Sequence, residues 1–186
     1  SARFGHGFMN PMADQWHTAF IAVGANLGSR LTACRKGVKA LAGSGDIRLH
    51  AHSPYYETAP MDYADQPWFV NAVFSVQTTL EPEMLLARLK KVEAEAGRQK
   101  NGVRFGPRAL DLDLIFYDDA LIRTPELEVP HPRMHQRAFV LRPLCDIAAD
   151  IMHPVLGRTV RELLADPVVN GQACRRLDHE VFDENL

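Results

Sequence analysis

Apolar residues fall into two periods along the chain. Residues 18–23 are a short run rich in strand formers, stopped by Gly24. After Ser29, a residue type that caps helices, Leu31, Cys34, Val38 and Leu41 recur at helical spacing and predict a helix over 30–42, ended by Gly43 and Gly45. Residues 46–57 alternate and predict a strand interrupted at Pro54, and 68–78 predict a longer one. Pro82 opens a second helix to about 96, with Glu81 and Glu83 near its positive end. Its buried stripe is Leu85, Leu89, Val92 and Ala96, and Gly97 closes it. Residues 111–117 predict a last strand. The order β-α-β-β-α-β is that of a ferredoxin-like α+β fold, an antiparallel sheet with both helices on one face. Residues 118–165 add hairpin-like and short helical pieces, including a helix starting near Thr159. Residues 1–15 and 167–186 are unpatterned and are expected to be tails around one domain, 16–166.

Strand parity assigns faces. Val70, Ala72, Phe74 and Val76 fit the helix-covered face, so Phe69, Asn71, Val73 and Ser75 turn to an open one. In the last strand Leu110, Leu112, Leu114 and Phe116 are the covered set. Asp111 and Asp113 then share the open face.

Composition narrows the function classes. The chain has 186 residues, 46% of them hydrophobic and 24% charged, which is enough for a globular core. A net charge of −2 is unlike a protein that holds duplex nucleic acid by bulk charge, and no nucleic-acid partner is expected. No apolar run approaches the roughly 18 residues of a membrane span. The opening residues lack the pattern of a signal peptide. Cys34, Cys145 and Cys174 lie far apart and are odd in number, which excludes a CxxC zinc site and argues against a disulfide framework. A reduced, cytoplasmic protein acting as a monomer is the expectation.

The sharpest chemical signal is Asp111-Leu-Asp113. Aspartate is a poor strand former, and carboxylates two residues apart on a strand lie about 6–7 Å from each other. Arginine partners on a solvated face would relieve their repulsion, and so would a hard cation such as Mg²⁺ completed by substrate phosphates. The strand alone leaves both readings open. Between 88 and 108 stand seven basic residues against Glu93 and Glu95. Those beyond Gly97 sit in a glycine-containing loop running into the aspartates, an arrangement suited to polyphosphate chemistry. A second basic group, His131, Arg133 and Arg137, follows. His131 and His135 have H-x₃-H spacing, but no cysteine pair completes a zinc site. The Gly24–Ser29 segment has no GKS or GKT, and a tight strand-to-helix turn accounts for it. Phe69 and Phe139 could stack on a flat heterocycle, although their positions alone favour core.

Together these segments resemble the 6-hydroxymethyl-7,8-dihydropterin pyrophosphokinase family. The resemblance runs through Phe20-Ile-Ala-Val-Gly-Ala-Asn-Leu-Gly-Ser29, Ser53-Pro-Tyr-Tyr-Glu-Thr-Ala-Pro60 and Gln66-Pro-Trp-Phe-Val-Asn-Ala72. It peaks at Arg104-Phe-Gly-Pro-Arg-Ala-Leu-Asp-Leu-Asp-Leu114, then continues at Val129-Pro-His131 and Arg137-Ala-Phe-Val-Leu-Arg-Pro-Leu144. It implies transfer of the terminal diphosphate of ATP to the pterin hydroxymethyl oxygen, releasing AMP. Asp111 and Asp113 would hold two Mg²⁺ ions, and Arg98 and Arg108 would stabilise the transition state. Glu93, Lys100, Arg108, Leu114, His131 and Arg137 would contact ATP. Phe69 and Phe139 would sandwich the pterin, with Asn71 on its amide-like edge and main-chain groups near Thr58 and Met61 beside it. Phe105, Pro132 and Lys100 stand where some members carry tryptophan, tyrosine and arginine. The rival readings are a single-stranded RNA-binding module on the same sheet, a phosphotransferase releasing ADP, and an inactive relative.

Overall fold

The computed structural model describes residues 15–61, 64–97 and 109–177. The 1–14 part of the expected N-terminal tail and the basic loop residues Arg98, Lys100, Arg104 and Arg108 lie outside the described residues.

Four long strands and two helices follow the predicted order. They are β1 (His17–Ala25), α1 (Arg30–Leu41), β2 (Ile47–His52) continued by β3 (Tyr56–Thr58), β4 (Phe69–Thr78), α2 (Pro82–Gly97) and β5 (Asp111–Tyr117). β1 lies between β4 and β5, antiparallel to both. β2 and β3 pair with successive halves of β4, and the break between them falls at the predicted proline. The result is a ferredoxin-like sheet.

α1 and α2 bury Cys34, Val38, Leu41, Leu85, Leu89 and Val92 against Ile21, Val23, Val70, Ala72, Phe74 and Val76, as parity requires. Gly37 lets α1 lie against Leu110, the residue before the aspartates; a Cβ there would meet the Leu110 side chain at 2.6 Å. Ser29 precedes α1 as expected but makes no side-chain capping bond. Ala96 is exposed rather than part of the stripe, because it lies on the last turn of α2, past the edge of the core.

The second face is not open along its whole length. A two-stranded hairpin, β6 (Ile122–Arg123) and β7 (Glu128–Val129), leads through a 3₁₀ turn, Met134–Gln136, into α3 (Ala138–Ala148). Val140, Leu141 and Leu144 of α3 cover Phe20, Ala22, Val73 and Phe116, so Val73 is buried, and so is Ser75 on the same strand face. Tyr56 fastens this helix by donating from its hydroxyl to Asp146 at 2.5 Å. Phe116 belongs to this second core, not to the first. The register of β5 on β1 shifts between Phe20 and Ile21, and this bulge turns Phe116 over to meet Phe20 edge-on at 6.2 Å. Tyr117 takes its place in the first core.

Thr159 begins α4 (Val160–Leu164) with a reciprocal capping box to Glu162. The stretch expected to be a C-terminal tail from 167 contributes α5 (Pro167–Asn170) and β8 (Cys174–Arg176), which pairs with β3 at the sheet edge. The three cysteines are free thiols. Among the described residues no helix is long and apolar enough to cross a membrane.

Candidate active site

α3 covers only part of its face. Beside it remains a cavity of about 350 Å³, floored by β1, β4 and β5 and walled by 58–61, Gln66 and 131–139. Its floor is organised by a cross-strand row: Gly24 of β1 pairs with Asn71 of β4 on one side and with Asp111 of β5 on the other. Strand spacing puts Asn71 and Asp111 about 10 Å apart, with no side chain between them. Two pairs along, Asp113 faces Ala22, so both carboxylates line the cavity, Asp111 half-buried and Asp113 exposed.

At the Asn71 end, the side-chain amide donates from Nδ2 to Thr58 Oγ1 at 2.5 Å, and both residues are buried. Phe69, Phe139 and Met61 line the same cavity. The segment before β4 is held by Asn26, which donates from Nδ2 to Gln66 Oε1 at 2.8 Å and to the Pro67 carbonyl at 3.1 Å. Arg30 donates to the Trp68 carbonyl at 2.7 Å.

At the carboxylate end, the His131 main chain donates to the Ile115 carbonyl at 3.0 Å. Its ring Nδ1 accepts from the Arg133 N–H at 3.2 Å, which leaves the ring proton on Nε2. Burial, then the neighbouring Arg137 and Arg133, push the imidazole down to about 4, so it is neutral at ordinary pH. The Arg137 guanidinium lies over the Phe139 ring, 5.3 Å from its centroid. Glu93 reaches from α2 to the edge of β5, its Oε1 accepting the Leu112 N–H at 3.1 Å. Burial pushes this carboxyl up to about 6; the Leu112 bond and Lys90 pull it down, and Asp111 and Asp113 raise it further.

Of the site residues expected from sequence, Thr58, Met61, Phe69, Asn71, Asp111, Asp113, His131, Arg137 and Phe139 line one cavity. Glu93 sits behind it. Leu114 does not reach it: its side chain is in the first core. Arg98, Lys100 and Arg108 lie outside the described residues. Gln66 and Arg133 also line the cavity. Gln66 lies in the 66–72 segment and Arg133 in the second basic group, and spacing alone assigns neither a role.

An antiparallel sheet with two helices on one face, and on the other a cavity that joins aromatic, amide and paired-carboxylate groups, defines a ferredoxin-like α+β domain with a polar ligand cleft. The 7,8-dihydro-6-hydroxymethylpterin-pyrophosphokinase (HPPK) family matches residues 20–149, and the chain belongs to it. A 2-amino-4-hydroxy-6-hydroxymethyldihydropteridine pyrophosphokinase of Pseudomonas aeruginosa is 42% identical over 146 residues, 78% of this chain and 89% of that protein. The folic acid synthesis protein fol1 of Pneumocystis carinii is 43% identical over 141 residues, 76% of this chain but 19% of that longer protein. The chain thus spans about a fifth of that relative and about nine-tenths of the bacterial one. A Plasmodium falciparum HPPK-DHPS crystal structure with pteroate superposes with a TM-score of 0.66 at 14% identity, covering 89% of this chain and 48% of that one. That likeness supports the fold.

Proposed function

We propose that this chain transfers the terminal diphosphate of ATP to the hydroxymethyl oxygen of 6-hydroxymethyl-7,8-dihydropterin. The row Asn71–Gly24–Asp111 carries the reading. It sets an amide that matches a pterin edge about 10 Å from a carboxylate, so one substrate can lie across the glycine with its hydroxymethyl group toward Asp111. The new bond forms between the hydroxymethyl oxygen and the β-phosphorus. The bond from that phosphorus to the α–β bridging oxygen breaks, AMP leaves with the electron pair, and the hydroxyl proton is released.

The residues suit Mg²⁺. Two carboxylates share one face, and among the described residues no group of three or more His, Cys, Asp and Glu side chains could hold a metal by itself. Water and phosphate oxygens would have to complete the shell, as Mg²⁺ prefers. Asp111 and Asp113 would hold two such ions, which supply positive charge to the phosphate oxygens when bound.

The remaining work falls to the chain. Phe69 and Phe139 sandwich the pterin, and Asn71, oriented by Thr58, reads its amide edge, with main-chain groups near Met61 beside it. His131 donates from Nε2 to a phosphate oxygen, and Arg137 adds a guanidinium. Glu93 fixes the Leu112 amide. Strand alternation turns the Leu114 main chain to that same edge, so Leu114 would meet the nucleotide through its backbone. The resemblance adds Arg98, Lys100 and Arg108 as phosphate contacts.

The test is product identity after incubation with ATP, Mg²⁺ and the reduced hydroxymethylpterin. One AMP and one pterin diphosphate per turnover are expected. Pterin-dependent ADP, or no nucleotide turnover, would overturn the reading.

A further inference from the structure

We infer that Arg133 is a further phosphate contact of this site, a guanidinium at the cavity mouth that holds the diphosphate during transfer; the inference rests on the diphosphotransferase reading above. Arg133 lines the same cavity as Asp111, Asp113, His131 and Arg137. Elsewhere on the surface Arg88, Arg161 and Arg175 each have a carboxylate within 3.2 Å. Arg133 has no carboxylate partner among the described residues, and its side chain is exposed. Its backbone is nevertheless fixed. The N–H donates to His131 Nδ1 at 3.2 Å, the carbonyl accepts from the Gln136 N–H at 3.1 Å, and the next residue, Met134, is fully buried.

An exposed arginine on a loose loop is an ordinary solvated charge. This one differs in two respects: its backbone N–H and carbonyl are both hydrogen-bonded, and it lines one cavity with two carboxylates without pairing with them. Such a fork is left for an anion that arrives with its own cations. Arg133 and Arg137 flank the 3₁₀ turn, with the His131 ring close enough to feel both charges. A diphosphate over Asp111 and Asp113 would thus meet the His131 ring and two guanidinium groups lining the same cavity.

The test compares the full chain with Arg133→Gln and Arg133→Lys by calorimetric titration with inorganic diphosphate plus Mg²⁺, and separately with a non-reacting pterin analogue. Arg133→Gln should weaken diphosphate binding roughly ten- to a hundredfold, leave pterin affinity within about twofold, and flatten the salt dependence. Arg133→Lys should recover part of the loss. Equal diphosphate affinity in Arg133→Gln and the unmodified chain would overturn the inference. So would parallel loss of both ligands with a lowered melting temperature, which marks a folding role. Diphosphate binding is read without turnover. A chain that binds diphosphate through Arg133 yet makes no AMP therefore defeats the reaction reading alone, and a chain that binds no diphosphate defeats the contact.

Discussion

Gly24 leaves its side-chain space to Asn71: a Cβ built on the glycine would run into the Asn71 Oδ1, its cross-strand neighbour. The close approach requires glycine here for its missing side chain, since the residue lies within β1. Gly24→Ala should therefore push the Asn71 amide off Thr58 Oγ1. We expect pterin-analogue affinity to fall about tenfold or more, from an amide that no longer matches the ligand. Overpacking should cost about 1–3 kcal/mol of stability. Calorimetry with the analogue and thermal unfolding read the two effects separately. Unchanged pterin affinity would show that Asn71 does not need this orientation.

Asp111 and Asp113 belong to one strand face, but they differ in surroundings. Asp111 is half-buried beside Gly24, and Asp113 is exposed opposite Ala22. If both hold Mg²⁺, Asp113→Asn and Asp111→Asn should each lower kcat by more than about a hundredfold, since even groups that only support metal ligands cost about 10–100-fold. The Mg²⁺ concentration needed for nucleotide binding should rise in both. Full retention of rate in Asp113→Asn would sink its metal role.

The neutral state of His131 has a pH signature. Burial, Arg137 and Arg133 lower its pKa from 6.5 to about 4, with Glu128 acting the other way. Between these values the unfolded chain binds a proton that the native chain excludes, so stability rises with pH over that window. The contribution is complete above 6.5 and lost as pH falls through 4. Nuclear magnetic resonance of the apo chain should show this ring titrating near the bottom of the window. His131→Asn should flatten, without abolishing, the acid limb of thermal unfolding, because His52 and His153 are lowered as well. A His131 midpoint near 6.5 would show that burial and the two arginines do not lower it in the native chain.

The sequence revealed those parts of the fold whose period is unbroken. β4, α2 and β5 each present a clean stripe, and Asp111 and Asp113 stand out because a strand seldom tolerates them. Three features hide. α3 carries Pro143 inside it, which reads locally as a breaker although tertiary packing buries it. Phe116 changes face through a bulge, which adds a residue without any compositional mark. β8 is three residues long with an exposed Arg175–Arg176 end, and only its partner strand makes it a strand. Gln66 and Arg133 are silent in the sequence because their place in the cavity depends on what surrounds them, which spacing does not encode.

The turn between α5 and β8 supports the site through Gln172. Its Oε1 accepts the N–H of Ala138, the first residue of α3, at 2.9 Å, and its Nε2 donates to the Gln136 carbonyl at 2.8 Å. One side chain thus supplies an otherwise orphan helix donor and ties off the 3₁₀ turn between Arg133 and Arg137. Phe139 follows directly. Gln172→Ala should cost about 1–2 kcal/mol, the size of a lost cap, and lower the melting temperature by roughly 2–8 °C. Freed of this bond, the start of α3 should let Phe139 and Arg137 drift, raising KM for the pterin and for ATP while kcat changes less. Gln172→Glu keeps the acceptor for Ala138 but not the donor for Gln136, so it should restore part of the stability. If Gln172→Ala melts lower but keeps both KM values, the C-terminal segment braces the fold without shaping the site.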